Sequence, residues 1–250
     1  MTDYTELKDR CVEWIRNWFE NNGKGCCAVL GMSGGKDSTV AAALCAEALG
    51  ADKVVGVAMP DEGQSLNEAD LICEHIGIRY ICAPIGEIVK GFGAVKASVE
   101  EGFSHQAEQN IPPRVRMAVL YSVSQSLNGR VVNTCNLSED WVGYATRWGD
   151  SVGDFSPLGG MTVQEIKGVG HTLGLPAKWV DKIPDDGLPH SCSDEEKFGF
   201  TYETLDRYIR TGVCEDEAVK AKIDRMHRNN LFKLSMPEHF DPGIKTTGEF

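Results

Sequence analysis

The sequence predicts an α/β protein with a doubly wound parallel sheet flanked by helices, followed by a helical C-terminal tail. Short apolar runs of strand length alternate with stretches of helical periodicity as far as residue 134. A glycine-rich segment follows the first apolar run and leads directly into an alanine-rich stretch. This alternation is typical of parallel sheets that are covered by helices on both faces. We expect a single domain over residues 1–250.

The first part of the chain supplies three of the predicted strands. Apolar residues at helical spacing predict an amphipathic helix over 5–20 that ends near Asn21-Asn22-Gly23. Gly50 closes the next helix, and Pro60 ends the second strand. The expected strands are 26–30, 53–59 and 79–85, and the helices between them are 39–49 and 66–76.

The second part of the chain supplies one more strand and the helical tail. Residues 86–110 have weak periodicity and predict a loop or a frayed helix, whereas Pro112-Pro113 opens a helix that runs to Leu127, since proline is tolerated in a first turn. Glycines, a proline and polar residues predict a functional loop at 149–160, and prolines, glycines and acidic residues predict a long exposed loop at 184–200. The remaining expected elements are a strand at 130–134 and helices at 162–173, 177–181, 201–210 and 215–230.

Composition excludes several classes of protein. Lys and Arg number 25 against 37 Asp and Glu, a net charge of −12, which argues against a general binder of nucleic acid or of membrane surfaces. No segment approaches the roughly 20 apolar residues of a membrane helix. Nine cysteines without a C-x-x-C pair or a secretory signal predict reduced thiols, and we expect a cytoplasmic protein.

The strongest chemical signal is a glycine-rich segment between the first strand and the following helix. Glycines there let backbone N–H groups turn inward, and a helix N-terminus adds partial positive charge, so the segment suits phosphate. It is not a Walker A loop, because Leu30 and Asp37 stand where that motif needs Gly and Ser or Thr. The alternative is an ordinary glycine turn with a helix cap. The segment is Gly31-Met32-Ser33-Gly34-Gly35-Lys36-Asp37-Ser38.

Residues 33–38, SGGKDS, resemble the pyrophosphate-binding loop of the N-type ATP pyrophosphatases. The resemblance implies the adenine nucleotide alpha hydrolase-like fold, and ATP as a co-substrate cleaved between its α and β phosphates. Residues 31–38 would then bind ATP, with Ser33 and Ser38 holding the departing pyrophosphate. Asp37 would ligate Mg²⁺, which prefers hard oxygen ligands.

Within that superfamily, residues from about 10 to 240 resemble the ammonia-dependent NAD synthetases. The segment Asn133-Thr134-Cys135-Asn136-Leu137-Ser138-Glu139 is similar to the family's G-T-x-N-x-S-E. The resemblance implies that Thr134 contacts ATP and that Glu139 is the second carboxylate on Mg²⁺. Asp37 and Glu139 can meet because each follows a parallel strand and emerges at the same edge of the sheet. Read alone, Glu139 is an ordinary exposed acid.

The family also implies where the second substrate, deamido-NAD, binds. Arg147 and Asp154 lie in a segment similar to the family's F-T-K-Y-G-D, with Arg147 in place of Lys. Arg114 matches a further dinucleotide-binding arginine, although it can also be read as a solvated helix charge. Lys233 aligns with the lysine of a His-Lys pair, and Gln64 aligns with a position near the ATP adenine.

Three positions depart from the commoner family pattern. Val163 stands where many members have a lysine that contacts ATP, Asp185 stands where Thr or Ser is usual, and Phe232 replaces the histidine. An acid beside phosphates is unfavourable without a cation, and Lys182 or Lys197 are the candidates to supply one.

We therefore expect a ligase that amidates deamido-NAD with ATP and ammonia through an adenylated nicotinate. The resemblance also implies a homodimer. Ammonia is expected because glutamine-using relatives need a separate amidase domain, and the synthetase-like region takes up all 250 residues. The alternatives are another N-type ATP pyrophosphatase, GMP-forming or tRNA-modifying, and a nucleotide-binding member that has lost catalysis.

Overall fold

A four-stranded parallel sheet forms the centre of the protein. The computed structural model describes residues 2–64, 68–182, 193–238 and 240–243. The strand order is β3-β2-β1-β4, and the register places Leu30 opposite Gly56 and Val29 opposite Val131. The strands are β1 (Cys27–Gly31), β2 (Val54–Ala58), β3 (Arg79–Cys82) and β4 (Gly129–Val131). The predicted parallel sheet is confirmed.

Helices flank the sheet and form the C-terminal tail. Short 3₁₀ turns lie at Ala51–Lys53 and Leu231–Lys233. The first six helices are α1 (Tyr4–Asn22), α2 (Lys36–Leu49), α3 (Ala69–Ile76), α4 (Gly86–Ala97), α5 (His105–Gln109) and α6 (Ile111–Ser126). The next six are α7 (Leu137–Val142), α8 (Val163–Thr172), α9 (Ala177–Val180), α10 (Asp194–Phe198), α11 (Tyr202–Thr211) and α12 (Glu217–Asn230).

Three apolar clusters hold these layers together. Side chains alternate along a strand, so successive residues of β1 face opposite sides of the sheet. Ala28 and Leu30 face a first core, which is shared with α1, α2, α8 and α9. Val29 faces a second core, which is shared with α6. Both faces of the sheet are therefore covered, as a doubly wound sheet requires. A third cluster, which we call the tail cluster, joins α7 and α8 to α10, α11 and α12 through Val142, Val163, Phe198, Phe200, Tyr202, Leu205 and Ile223.

The structure decides between the alternatives for 86–110 and corrects one predicted loop. Of the loop or frayed helix expected at 86–110, the helix is found, since residues 86–97 form α4, whose half-buried Val89 and Phe92 pack against the second core despite the glycines at 91 and 93. The predicted exposed loop 184–200 is wrong over its described part, since 194–198 form α10 and Phe198 is buried in the tail cluster. Periodicity misses α10 because short helices depend on tertiary packing rather than on local propensity. Residues 183–192 lie outside the described residues.

Two further features bear on the expectations from composition. Over the described ranges, the helices are all too short or too polar to cross a bilayer. The eight described cysteines are free thiols, and five of them are buried. Burial raises the pKa of the Cys11 thiol to about 12 and that of Cys73 to about 11, so these two behave as small apolar side chains at neutral pH.

Candidate active site

The two motif segments meet at the carboxyl edge of the sheet. Strand β1 lies between β2 and β4, so the strand order reverses between β1 and β4. Such a switch point leaves a crevice at the strand ends, where ligands bind in folds of this type. The Asn136 amide, which follows β4, donates a hydrogen bond of 3.2 Å to Asp37 Oδ1, which follows β1. Segments about a hundred residues apart are thus joined at one point.

The glycine-rich segment is shaped for an anion. Gly34 has a φ of +76°, a left-handed conformation that favours glycine. The Gly35 N–H donates to Ser33 Oγ at 3.2 Å, and the hydroxyls of Ser33 and Ser38 lie 3.2 Å apart. Among the described residues, no side chain caps the first turn of α2, so its N–H groups face the crevice without a side-chain acceptor. A helix N-terminus with two adjacent hydroxyls has the features of an anion-binding site.

Lys36 lies inside the site rather than on its rim. Its side chain is 2 % exposed, and Nζ lies 2.8 Å from Asp37 Oδ2. Burial by itself lowers the pKa of Lys36, but the negative charges of Asp37 and Glu139 outweigh burial, and the pKa is raised. The ammonium is therefore charged and serves as the internal counter-ion of the carboxylates around it.

Glu139 is held opposite Asp37 by its own helix start. Asn136 caps α7, and its side chain accepts a hydrogen bond of 3.0 Å from the Glu139 N–H. Burial, and next the negative charge of Asp37, raise the pKa of Glu139 well above its ordinary value. Two carboxylates held together away from water are both ionised only when a cation lies nearby.

The residues present fit a divalent cation that is shared with a nucleotide. Within the described part of the chain, no three His, Cys, Asp or Glu side chains are grouped so that they could hold a metal by themselves. Mg²⁺ commonly takes one or two protein carboxylates and completes its shell with water and substrate phosphates. The pair Asp37 and Glu139 beside a phosphate-shaped loop matches that pattern.

Gln64 is placed by an arginine that sequence reasoning did not single out. Arg116 of α6 donates to Gln64 Oε1 at 2.6 Å and to the Met59 carbonyl oxygen at 3.0 Å. The Asp61 N–H also donates to Gln64 Oε1, at 3.2 Å. Gln64 is therefore fixed at the end of β2, on the same edge as the loop. Arg116 is two residues from Arg114. Burial distinguishes the two, because Arg114 is exposed and Arg116 is half-buried.

The structure brings Arg147 and the C-terminal 3₁₀ turn together. The Arg147 guanidinium lies 5.0 Å from the Trp148 ring centre and 5.3 Å from that of Phe232, and it donates to the Ser235 carbonyl oxygen at 3.2 Å. These side chains line a cavity of about 280 Å³. Lys233 Nζ donates to the Gly143 carbonyl oxygen at 2.8 Å, which ties the turn to the end of α7.

Asp154 and Arg114 lie apart from that cluster. Asp154 Oδ2 accepts a hydrogen bond of 2.7 Å from the Val131 N–H, so its carboxylate anchors the end of β4. Arg114 is exposed on α6 at the rim of a separate apolar cavity of about 680 Å³ between α4 and α6. The structure thus gathers the nucleotide loop, Thr134 and Glu139 at one edge, whereas the predicted dinucleotide contacts are spread over three places.

Comparison with known proteins identifies the family. The family model for NAD synthase matches residues 7–240. The chain belongs to the NAD synthase family.

Relatives and solved structures agree with this assignment. The chain is 37% identical to the NH(3)-dependent NAD(+) synthetase of Methanocaldococcus jannaschii, over 82% of this chain and 80% of that protein. It is 36% identical to that of Pyrococcus furiosus, over 94% of each chain. The structure matches an NMN synthetase from Francisella tularensis with a TM-score of 0.88 at 25% identity, covering 96% of this chain and 100% of that one. An NH3-dependent NAD synthetase from Campylobacter jejuni matches with a TM-score of 0.77 at 26% identity, with the same coverage.

The structure describes two of the three positions that differ from the family pattern. Val163 is 2 % exposed and belongs to the tail cluster, so this position supports α8 from within the core. Phe232 supplies one of the two aromatic rings beside Arg147. Asp185 lies outside the described residues.

Sequence reasoning missed several residues that build the site. Asn136 had a usable signal, since it lies inside the G-T-x-N-x-S-E-like segment. Asp194 and Tyr202 had none. Asp194 is 8 % exposed and adds negative charge near Lys36, and the Tyr202 ring centre lies 5.8 Å from Lys36 Nζ.

Proposed function

We propose that this protein is an ammonia-dependent NAD synthetase that converts deamido-NAD, ATP and ammonia into NAD, AMP and pyrophosphate. The observation that carries the proposal is the junction of the SGGKDS loop with Asn136 and Glu139 at the switch point of the sheet. The family match supports it and does not favour the GMP-forming or tRNA-modifying alternatives. We propose that residues 1–250 form one synthetase domain.

The chemistry follows from what the loop can hold. The nicotinate carboxylate attacks the α-phosphorus of ATP, and the bond to the β-phosphate oxygen breaks. The N–H groups at the start of α2 and the hydroxyls of Ser33 and Ser38 receive the charge of the departing pyrophosphate. Ammonia then attacks the acyl carbon of the adenylate, and AMP leaves. No covalent enzyme intermediate is needed, so positioning and charge neutralisation account for the catalysis.

Around ATP we assign the loop residues 31–38 together with Thr134 and Gln64. Asp37 and Glu139 would hold Mg²⁺ jointly with phosphate oxygens of ATP. When bound, the cation neutralises negative charge on the phosphates as the α–β bond breaks. Lys36 supplies positive charge to the same carboxylates from the protein side.

For deamido-NAD we assign Arg114, Arg147, Asp154 and Lys233. The support is strongest for Arg147, whose guanidinium and two flanking rings line a cavity. Such a surface offers stacking to a planar ring and charge to a phosphate. Arg114 is exposed, so it can reach a ligand without breaking a described contact.

We also propose that a second copy of this chain covers the apolar cavity between α4 and α6. The cavity is lined mostly by apolar side chains of both helices and by Ile81. Ile88, which is part of this lining, is 48% exposed, and Val95 of α4 is 49% exposed. Contiguous exposed apolar surface of this kind marks protein–protein contacts. Arg114 at the rim would then lie at the boundary of the two subunits.

One observation favours a second candidate, the amidation of nicotinate mononucleotide. The NMN synthetase structure matches with a TM-score of 0.88 over its whole length, against 0.77 for the Campylobacter NAD synthetase. In this protein, we expect the same loop and carboxylates to serve either activity. They differ in whether the substrate carries a second nucleotide.

A pyrophosphate-release assay tests both candidates. Purified protein is given ATP, Mg²⁺ and ammonium with deamido-NAD, nicotinate mononucleotide or xanthosine monophosphate, together with a control without acceptor. We expect release that depends on deamido-NAD and yields NAD and AMP in equal amounts. Faster turnover of the mononucleotide would transfer the assignment to the second candidate. Release with xanthosine monophosphate alone, or ADP as the product, would refute both.

A further inference from the structure

Ser138 and Asp206 form a buried hydrogen-bonded pair beside the candidate metal carboxylates. Asp206 belongs to α11 and is 5% exposed, and Ser138 belongs to α7 and is fully buried. Ser138 Oγ donates to Asp206 Oδ1 at 2.5 Å. The hydroxyl also accepts a hydrogen bond of 3.1 Å from the Val163 N–H at the start of α8. The second carboxylate oxygen of Asp206 accepts from the Gln164 N–H at 2.9 Å. One carboxylate therefore joins three helices.

This pair is not needed merely to attach α8 to α11. Glu165 already closes the first turn of α8, because its Oε2 accepts a hydrogen bond of 2.8 Å from the Thr162 N–H. Glu165 also pairs with Arg210 of α11, whose Nε donates to Oε1 at 2.8 Å. What Asp206 adds is the link to α7 through Ser138. A buried carboxylate is costly unless its hydrogen bonds are satisfied. For Asp206, the Ser138 hydroxyl and the Gln164 N–H make these bonds in place of water.

The link matters because α7 is too short to orient itself. The helix has six residues, and Glu139 lies in its first turn. Helices this short depend on tertiary contacts for their stability and direction. On one side α7 is fixed by Asn136, which contacts Asp37. On the other side it is fixed by Ser138, the residue directly before Glu139. The rotation of α7 about its axis, and hence the place of the Glu139 carboxylate, depends on both anchors.

We propose that Asp206, acting through Ser138, is a positioning residue that places the Glu139 carboxylate opposite Asp37 for binding of the metal–nucleotide complex. The proposal rests on the assignment of Asp37 and Glu139 as metal ligands in the proposed function. Asp206 touches neither ATP nor the metal in this role. Residues that orient a metal ligand typically alter metal affinity by about 10–100-fold when they are removed.

The test measures metal binding directly and not turnover. Mn²⁺ serves as a paramagnetic probe for Mg²⁺, and its dissociation constant is titrated by electron paramagnetic resonance in the presence of α,β-methylene-ATP, which cannot be cleaved at the α–β position. The variants are Ser138→Ala, Asp206→Ala, Asp206→Asn and the double variant S138A/D206A. Glu165→Gln is the matched control, since it weakens the same junction of α8 and α11 without contact to α7.

We expect Ser138→Ala and Asp206→Ala each to raise the Mn²⁺ dissociation constant about tenfold, and the double variant to add little to either. Asp206→Asn keeps the volume and one acceptor, so it should fall between Asp206→Ala and the wild type. If Asp206→Ala does not fold, Mn²⁺ binding can still be measured with Asp206→Asn. Glu165→Gln should bind Mn²⁺ as the wild type does, even though its melting temperature falls.

Wild-type affinity in folded Ser138→Ala and Asp206→Asn would overturn the inference. An equal loss in Glu165→Gln would also overturn it, because the effect would then belong to the general stability of α8 and α11. Wild-type turnover with deamido-NAD is measured separately. If the wild type were inactive while the two variants still weakened Mn²⁺ binding, the proposed function would fail and the positioning role would stand.

Discussion

Replacement of Lys36 by Met tests whether the site depends on an internal positive charge. The Lys36 side chain is 2 % exposed and lies 2.8 Å from Asp37 Oδ2, whose side chain is 19 % exposed. Methionine retains the length and the apolar stem but removes the ammonium, so Asp37 and Glu139 lose their counter-ion. Loss of one partner from a buried pair costs about 3–5 kcal/mol, and the partial exposure of Asp37 places this pair near the lower limit, about 3 kcal/mol.

For a chain of this size, about 3 kcal/mol corresponds to a fall in melting temperature of about 6–12 °C. The assay is thermal unfolding followed by circular dichroism, in EDTA and again with excess Mg²⁺ and α,β-methylene-ATP. We expect the loss to be largest in EDTA. It should shrink with the metal–nucleotide complex, because ligands that bind only the folded state stabilise it and a divalent cation replaces the missing charge.

Lys220→Met is the matched control. Lys220 pairs with Asp224 at 3.0 Å on the surface of α12, and its side chain is 35% exposed. Surface pairs of this kind contribute about 0–1 kcal/mol, so the control should melt within about 4 °C of the wild type under both conditions. Lys36 is not the counter-ion of these carboxylates if Lys36→Met melts like the control in EDTA, or if the metal–nucleotide complex leaves the fall in its melting temperature unchanged.

Three further predictions concern catalysis, packing and the nitrogen source. Asp37→Ala should lower pyrophosphate release about a hundredfold or more while the far-ultraviolet circular dichroism spectrum stays native, and near-normal release would contradict the metal assignment. Gly143→Ala should lower the free energy of unfolding in urea by about 3 kcal/mol or more, since the φ of Gly143 is +69° and a Cβ there would lie 2.1 Å from Asn230 Cγ. Gly174→Ala is the control. Gly174 has a φ of +72° and no atom within 4 Å of an added Cβ, so this variant should lose only about 1–2 kcal/mol. Ammonium should support turnover that rises with pH as the free-amine fraction grows. Glutamine alone should not, because release of its amide nitrogen needs an activated thiol, and burial raises the pKa of Cys135, the cysteine next to Thr134, well above its ordinary value. Equal rates with ammonia-free glutamine would contradict this.

The positions of most elements could be predicted from sequence because strands and long helices leave a periodic signal. The helices that the sequence did not predict, α7 and α10, are stabilised by contacts within the tail cluster. Phe198 is an example. It lies among acidic and glycine residues that favour a loop, yet it is buried by α11 and α12. No local pattern encodes that burial.

The same distinction applies to the site. The place of Asp37 and Glu139 at one edge of the sheet could be predicted, because each follows a parallel strand and the carboxyl ends of parallel strands lie at the same edge. The place of Thr134 and of the loop residues could be predicted for the same reason.

The sequence by itself determined the chemistry that the protein carries: a phosphate-shaped loop and two carboxylates, each at a strand end. Only the tertiary structure decided what surrounds them. It placed Lys36 in the interior between carboxylates, and it brought Asp206 from α11 to the helix that holds Glu139. The physical reason is that motifs depend on local backbone geometry, which neighbouring residues specify. Counter-ions and positioning contacts instead join side chains that are far apart in the chain, and they exist only once the core has excluded water.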